Sequence, residues 1–187
     1  MSTTTAFTYH PVLRALHWSM ALLIVAMLFI GVGMVSTAGP AYSWLLSLHR
    51  SLGIAILALA LIRLLVRARS SRPALPSDLP YWQASAARVS HLLLYAGMIA
   101  LPLIGWAMVS AAGKPVKLAE GVVLPGLVPH DLELYALLRE AHAIVAYTFF
   151  ALVLLHLSAA LTHGLIRRDG VLKSMLIGDR PPLRAPR

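Results

Sequence analysis

The stretch HAIVAYTFFALVLLH, residues 142–156, decides the fold. It carries no charge, and the uncharged run that holds it extends from Ala141 to Ile166. His142 and His156 stand fourteen residues apart. That is close to four α-helical turns, so a helix puts both imidazoles on one face, about 21 Å apart along its axis. A run this long and apolar reads as a helix that crosses a bilayer. One histidine then sits near each edge of the hydrocarbon core, and each meets a different neighbouring helix.

The remainder of the chain has the same character. Apolar residues make up 59% of the sequence and charged residues 12%, with a mean hydropathy of +0.77, outside the range of ordinary soluble domains. Uncharged stretches run from Ala15 to His49 and from Val89 to Gly113, each longer than the roughly 20 residues a span requires. A further apolar stretch, Ser43 to Val66, holds Arg50 and Arg63 near its ends, where arginine stems snorkel. The expectation is an all-α integral membrane four-helix bundle, up-down-up-down, with transmembrane helices at about 13–35, 43–66, 86–111 and 138–165. Residues 1–187 read as one domain without internal repeat, and the first helix is too long for a cleaved signal.

Basic residues set the expected orientation. Arg14, Arg63, Arg67, Arg69, Arg72, Arg88, Arg167, Arg168, Lys173, Arg180, Arg184 and Arg187 fall on one side, against Arg50, Lys114, Lys117 and Arg139 on the other. By the positive-inside rule both termini are cytoplasmic, and the net charge of +9 is mostly a topology signal. Nucleic-acid binding, the other reading of a pI near 10.7, has no soluble domain to carry it.

Between the helices, Pro73, Pro76 and Pro80 mark a cytoplasmic linker. Residues 112–137, with Pro115, Pro125 and Pro129, form the longest outer loop. Residues 131–139 read as a short amphipathic helix lying against the bilayer surface.

Cysteine is absent, which excludes disulfides, thiolate iron–sulfur sites and covalent c-type haem. The uncharged runs hold no carboxylate, so imidazole is the strong ligand left inside the membrane. Sorted by depth, His49 and His142 lie at the outer level, and His17, His91 and His156 at the inner one. Nitrogen ligands at two depths are what two stacked b-type haems require, each iron held by two imidazoles. Gly53, Ala146 and Ala160, one turn beyond His49, His142 and His156, leave room for a macrocycle, although small residues serve helix packing equally. Arg50 and Arg139 are candidate partners of outer haem propionates and Arg14 of inner ones; interfacial anchoring explains them as readily. His10 and His130 read as solvated.

The motifs Arg14-Ala-Leu-His17-Trp18, Leu48-His49-Arg-Ser-Leu-Gly53, Ser90-His91-Leu-Leu-Leu-Tyr95 and Ala100-Leu-Pro-Leu-Ile-Gly105-Trp106, with the His142/His156 pair, resemble the prokaryotic cytochrome b561 family over nearly the whole chain. The resemblance implies a bundle in the bacterial inner membrane that binds two haems b. It implies that His17 and His156 hold the cytoplasmic haem and His49 and His142 the periplasmic one. It further implies an oxidoreductase that takes electrons from superoxide at the outer face and delivers them to ubiquinone near the inner face. His163 lies two turns beyond His156 on the same face, and its near-surface imidazole suits hydrogen bonding and proton exchange with a quinone; the resemblance points to the same position. His91 has no assigned iron and is open to a propionate, the quinone or a rival ligand role. No residue is assigned to catalysis at the superoxide face. Two other classes stay open: an electron-transfer subunit docking a dehydrogenase- or hydrogenase-type redox partner, and a metal transporter, which the lack of carboxylates disfavours.

Overall fold

The computed structural model describes residues 8–70, 78–118 and 121–176. Four long helices follow in chain order: α1 (Pro11–Ser36), α2 (Pro40–Arg69), α3 (Tyr81–Ala111) and α4 (Leu132–Leu161). Each is long and apolar enough to cross a membrane. α4 runs on into a wide π-helical turn, Thr162–Arg167, and a short helix α5 (Val171–Leu176) follows. Between α3 and α4, β1 (Val116–Lys117) and β2 (Val123–Leu124) pair antiparallel, Val116 opposite Leu124. The chain is a membrane-spanning four-helix bundle. The end where α1 begins and α4 finishes is called here the terminal end, and the opposite one the loop end.

The helices are longer than the apolar runs because their start signals lie outside those runs. α1 opens at Pro11, with the His10 ring nitrogen Nδ1 accepting from the Val12 amide at 3.3 Å; His10 is exposed but caps the helix. α2 also opens on a proline, where the missing N–H costs nothing. α3 begins directly after Pro80 and not near residue 86, so His91 lies ten residues into the helix. The expected surface helix over 131–139 is corrected. Asp131 Oδ1 accepts from the amides of Glu133 at 2.9 Å and Leu134 at 3.0 Å, an N-cap, and α4 runs unbroken from Leu132. No proline or glycine interrupts the segment between the cap and the span.

The outward surface is apolar: Leu22 is 72% exposed, Phe29 75% and Val35 83%. Only lipid makes such a surface stable, since no apolar area of this size persists against water. Neighbours in sequence are neighbours in space: α1 packs on α2, α2 on α3, and α4 on α3. At the α3–α4 seam a side chain on Gly97 would run into the Phe149 ring, so this glycine sets how closely the two helices approach. Against α1 and α2, in contrast, α4 makes only sparse contact.

At the loop end, the connection is fastened onto the end of α3. The Trp106 indole donates to the Pro125 carbonyl at 2.8 Å, and the Leu127 amide donates to Ser110 Oγ at 3.1 Å. The Asp131 amide donates to the Ala111 carbonyl at 3.0 Å. His130 is solvent-exposed, as read from the sequence, yet its Nδ1 lies 2.9 Å from that same carbonyl. At the terminal end, the Trp18 indole donates to the Met175 carbonyl at 3.0 Å, which ties α5 to α1. Pro73, Pro76, Arg72 and the tail residues Arg180, Arg184 and Arg187 lie outside the described residues.

Candidate functional site

The histidines of the spans gather at two levels. Toward the loop end, His49 of α2 faces His142 of α4, with ring centres 6.1 Å apart and ring planes at 62°. Toward the terminal end, His17 of α1 faces His156 of α4 at 6.3 Å and 80°. His91 of α3 stands on the other side of His156, at 5.5 Å and 68°. α4 thus supplies one imidazole to each level, as its fourteen-residue spacing requires.

These separations have a chemical meaning. A metal–imidazole bond of about 2.0 Å, plus roughly 1.1 Å from nitrogen to ring centre, sets two rings about 6.2 Å apart across one ion. His49/His142 and His17/His156 stand at that distance, and His91/His156 is shorter. Among the described residues no group of three or more His, Asp or Glu side chains is placed to hold a metal ion. Two imidazoles alone make a poor cage for a bare cation. They suit an iron whose other four ligands come from a macrocycle.

The helices bearing each facing pair are also those that touch sparsely: α2 with α4, and α1 with α4. Across these sparse contacts the imidazoles face each other edge to face. His49 Nδ1 and Arg50 Nε are buried side-chain nitrogens with no hydrogen-bond partner, both at the loop-end level. Buried polar groups are rarely left so, and a bound anionic cofactor held between them is an arrangement that would engage this set. Gly105 of α3 lets His142 lie close, because an added Cβ would stand 3.3 Å from the ring's Cε1. Gly53 lies against Met27 of α1. Arg139 is exposed, and Arg14 is half-buried in the first turn of α1.

The terminal-end level holds a cationic group whose place near a helix end in the sequence suits an interfacial stem. Arg63 Nε donates to the Tyr95 hydroxyl at 2.8 Å, and its Nη1 reaches the Leu13 carbonyl at 3.4 Å. Arg67, one turn on, lies over the Tyr95 ring with its guanidinium carbon 5.2 Å from the ring centre. Arg63 is within electrostatic reach of His17, His91 and His156. The pairing joins α2 to α3, a contact no spacing in one helix discloses.

His163 lies in the π-turn that ends α4. Its Nδ1 is 2.5 Å from Asp169 Oδ2, and it borders a cavity of about 250 Å³ shared with Arg168, Leu172 and Lys173. It makes no ring contact with His156 comparable to those of His17 and His91 among the described residues.

A bundle of four membrane helices enclosing facing imidazoles at two depths is the frame of a membrane cytochrome b. Comparison with known proteins bears on the family directly. The prokaryotic cytochrome b561 family model matches residues 8–178. The chain is 32% identical to cytochrome b561 homolog 1 of Escherichia coli (strain K12), over 86% of this chain and 92% of that protein. It is 30% identical to the probable superoxide oxidase CybB of Yersinia pestis, over 86% and 91% of the two chains. A third relative, cytochrome b561 homolog 2 of Escherichia coli (strain K12), is 30% identical over 93% and 94%. The chain belongs to the prokaryotic cytochrome b561 family and is a multi-pass bacterial membrane protein of a haem b-binding, electron-carrying family.

Proposed function

We propose that this protein is an inner-membrane superoxide:ubiquinone oxidoreductase, holding one haem b between His49 and His142 and another between His17 and His156. The observation that carries the reading is the pair of ring separations, 6.1 and 6.3 Å, at two depths of one helix. When bound, two haems b supply one-electron carriers at two levels of the bilayer. A relative at 30% identity bears the name probable superoxide oxidase. The positive-inside distribution favours the terminal end as cytoplasmic, which makes the loop end the superoxide face and the terminal end the quinone face.

The chain's own residues divide the work. His49 with His142, and His17 with His156, would hold the two haem irons, and two imidazoles on each would keep the change in structure small as an electron passes. Arg50 presents an unpartnered buried guanidinium nitrogen at the loop-end level, suited to a propionate. Arg50, Arg139, Lys114 and Lys117 are matched in number by Glu120, Asp131, Glu133 and Glu140, so a small anion would be steered only by a local cluster of these cations over the loop-end site. At the other end, His163 borders a cavity and donates and accepts protons for the quinone. Two superoxide ions give up one electron each and leave as dioxygen. One ubiquinone takes both electrons and two protons and leaves as ubiquinol.

Stopped-flow mixing of the purified holoprotein with a superoxide source tests this. Transient haem reduction is expected, followed by reoxidation when ubiquinone is added. Reduction that occurs only with a soluble dehydrogenase or hydrogenase-type partner overturns the enzyme reading in favour of an electron-transfer subunit.

A further inference from the structure

His163 and Asp169 are six residues apart. On a regular α-helix such a pair lies about 120° apart around the axis and about 9 Å along it, out of reach. Here the helix widens into the π-turn Thr162–Arg167, Arg168 takes the left-handed conformation at φ 53°, and Gly170 follows at φ 83°. The chain doubles back and lays Asp169 against His163. Gly164 permits the return, because a side chain there would collide with Leu172. A π-turn and a left-handed arginine are both unfavourable conformations, and such features gather at functional positions.

Asp169 is held from all sides. Its Oδ2 accepts from His163 Nδ1 at 2.5 Å and from Arg167 Nε at 3.1 Å, and its Oδ1 accepts from the Val171 amide at 3.2 Å. Arg167 Nη2 continues to Asp78 Oδ2 at 2.8 Å, which anchors the cluster to the segment before α3. The Asp169 side chain is 11% exposed and that of His163 20%. Burial works against charge on the Asp169 carboxyl, but the bonds from His163, Val171 and Arg167 outweigh it and keep the group below its ordinary range. An ionised carboxylate only accepts. His163 Nδ1 must therefore carry the proton, which leaves Nε2 as the nitrogen free for another molecule.

We propose that Asp169 is a positioning residue for His163, fixing the ring in the Nδ1–H form so that Nε2 alone exchanges protons with the quinone. This rests on the reading of His163 as the quinone-side residue. In each exchange Nε2 of the neutral ring first takes a proton from hydronium, giving the imidazolium and water; the Nε2–H bond then breaks as a quinone O–H bond forms. Nδ1–H stays on Asp169 throughout, and the ring returns to its neutral Nδ1–H form. A clasp that merely closes the helix end has no need of a particular tautomer.

The experiment uses holoprotein with ¹⁵N-labelled histidine in nanodiscs, in the reduced, diamagnetic state. Long-range ¹H–¹⁵N correlation reads each tautomer, and the His163 signals are identified by their loss in His163→Gln. Wild type is expected to show Nδ1–H, and Asp169→Ala to shift the ring largely to Nε2–H. Asp169→Asn, which keeps an acceptor, retains Nδ1–H. Reoxidation of the haems by ubiquinone in Asp169→Ala is expected to slow about tenfold or more, the loss typical when an imidazole's orienting group is removed. Reduction by superoxide and the haem spectrum stay unchanged. An Nε2–H ring in wild type, identified against the His163→Gln spectrum, overturns the proposal, as does an unchanged tautomer in Asp169→Ala. If His163→Gln leaves reoxidation unaltered, the quinone assignment of His163 fails instead, and the tautomer data identify which claim fell.

Discussion

Arg63 Nε donates to the Tyr95 hydroxyl at 2.8 Å, which holds a guanidinium inside the bundle at the level of three histidines. An intramembrane cation is costly and persists where it has partners and a task. A fixed positive charge near an iron disfavours the more positive, oxidised state. Arg63→Gln is therefore expected to lower the midpoint potential of the haem at the terminal end by on the order of 50 mV, with the other haem nearly unmoved. Tyr95→Phe releases the clamp and shifts the same haem by less. Redox titration followed at the haem absorption bands measures both; equal shifts in the two haems refute the placement.

The facing rings of His49 and His142 predict a separable site. Haem content by pyridine haemochrome is expected at two per wild-type chain and about one in His142→Ala, by the two-level ligand count. His49→Ala gives the same result. His156→Ala spares the loop-end haem and removes the other. Loss of both haems from either single variant contradicts independent sites.

Two glycines predict different failures. Gly97→Val drives a side chain into the Phe149 ring at the α3–α4 seam. It is expected to destabilise the bundle by about 1–3 kcal/mol, the usual cost of overpacking, read as a lower unfolding midpoint. Gly105→Val instead presses on the His142 ring, which stands 3.3 Å from an added Cβ. Its expected signature is weakened loop-end haem retention with a normal helical circular dichroism spectrum.

The Asp169 clasp predicts a pH dependence of definite sign. Its carboxyl is held below the ordinary value of 3.8, so the charged form is favoured by the fold. The resulting stability is complete above that ordinary value and is lost as pH falls through the lower native one. Amide protection over Val171–Leu176, corrected for intrinsic exchange, is expected to stay constant from neutral pH to about 5 and then decline in acid. Asp169→Asn should show weaker protection at neutral pH and little of this decline. A decline of equal size in the variant assigns the effect to another group.

Much of this architecture is written along the chain in one dimension. Uncharged runs announce spans, and the interval between His142 and His156 announces that one helix serves two depths. Positions 17, 49 and 91 sort by depth once the helices alternate. What depends on two elements meeting is not written so. The Arg63–Tyr95 bond joins α2 to α3, and the same arginine reads equally well as an interfacial anchor. Asp169 reaches His163 only through a π-turn and a left-handed residue, neither of which has a reliable sequence signature. The start of α4 at Leu132 was open to misreading, because an amphipathic segment ahead of a span suits a surface helix as well as a capped extension.

The sparse contact of α4 with α1 and α2 bears on how the molecule is made. Helices that are neighbours in sequence hold one another, so the span pattern can be established during insertion without anything between the histidine-bearing faces. α4, the last helix to be threaded, rests on α3 for most of its packing, so the close approach that Gly97 allows against Phe149 is what seats it in the bundle.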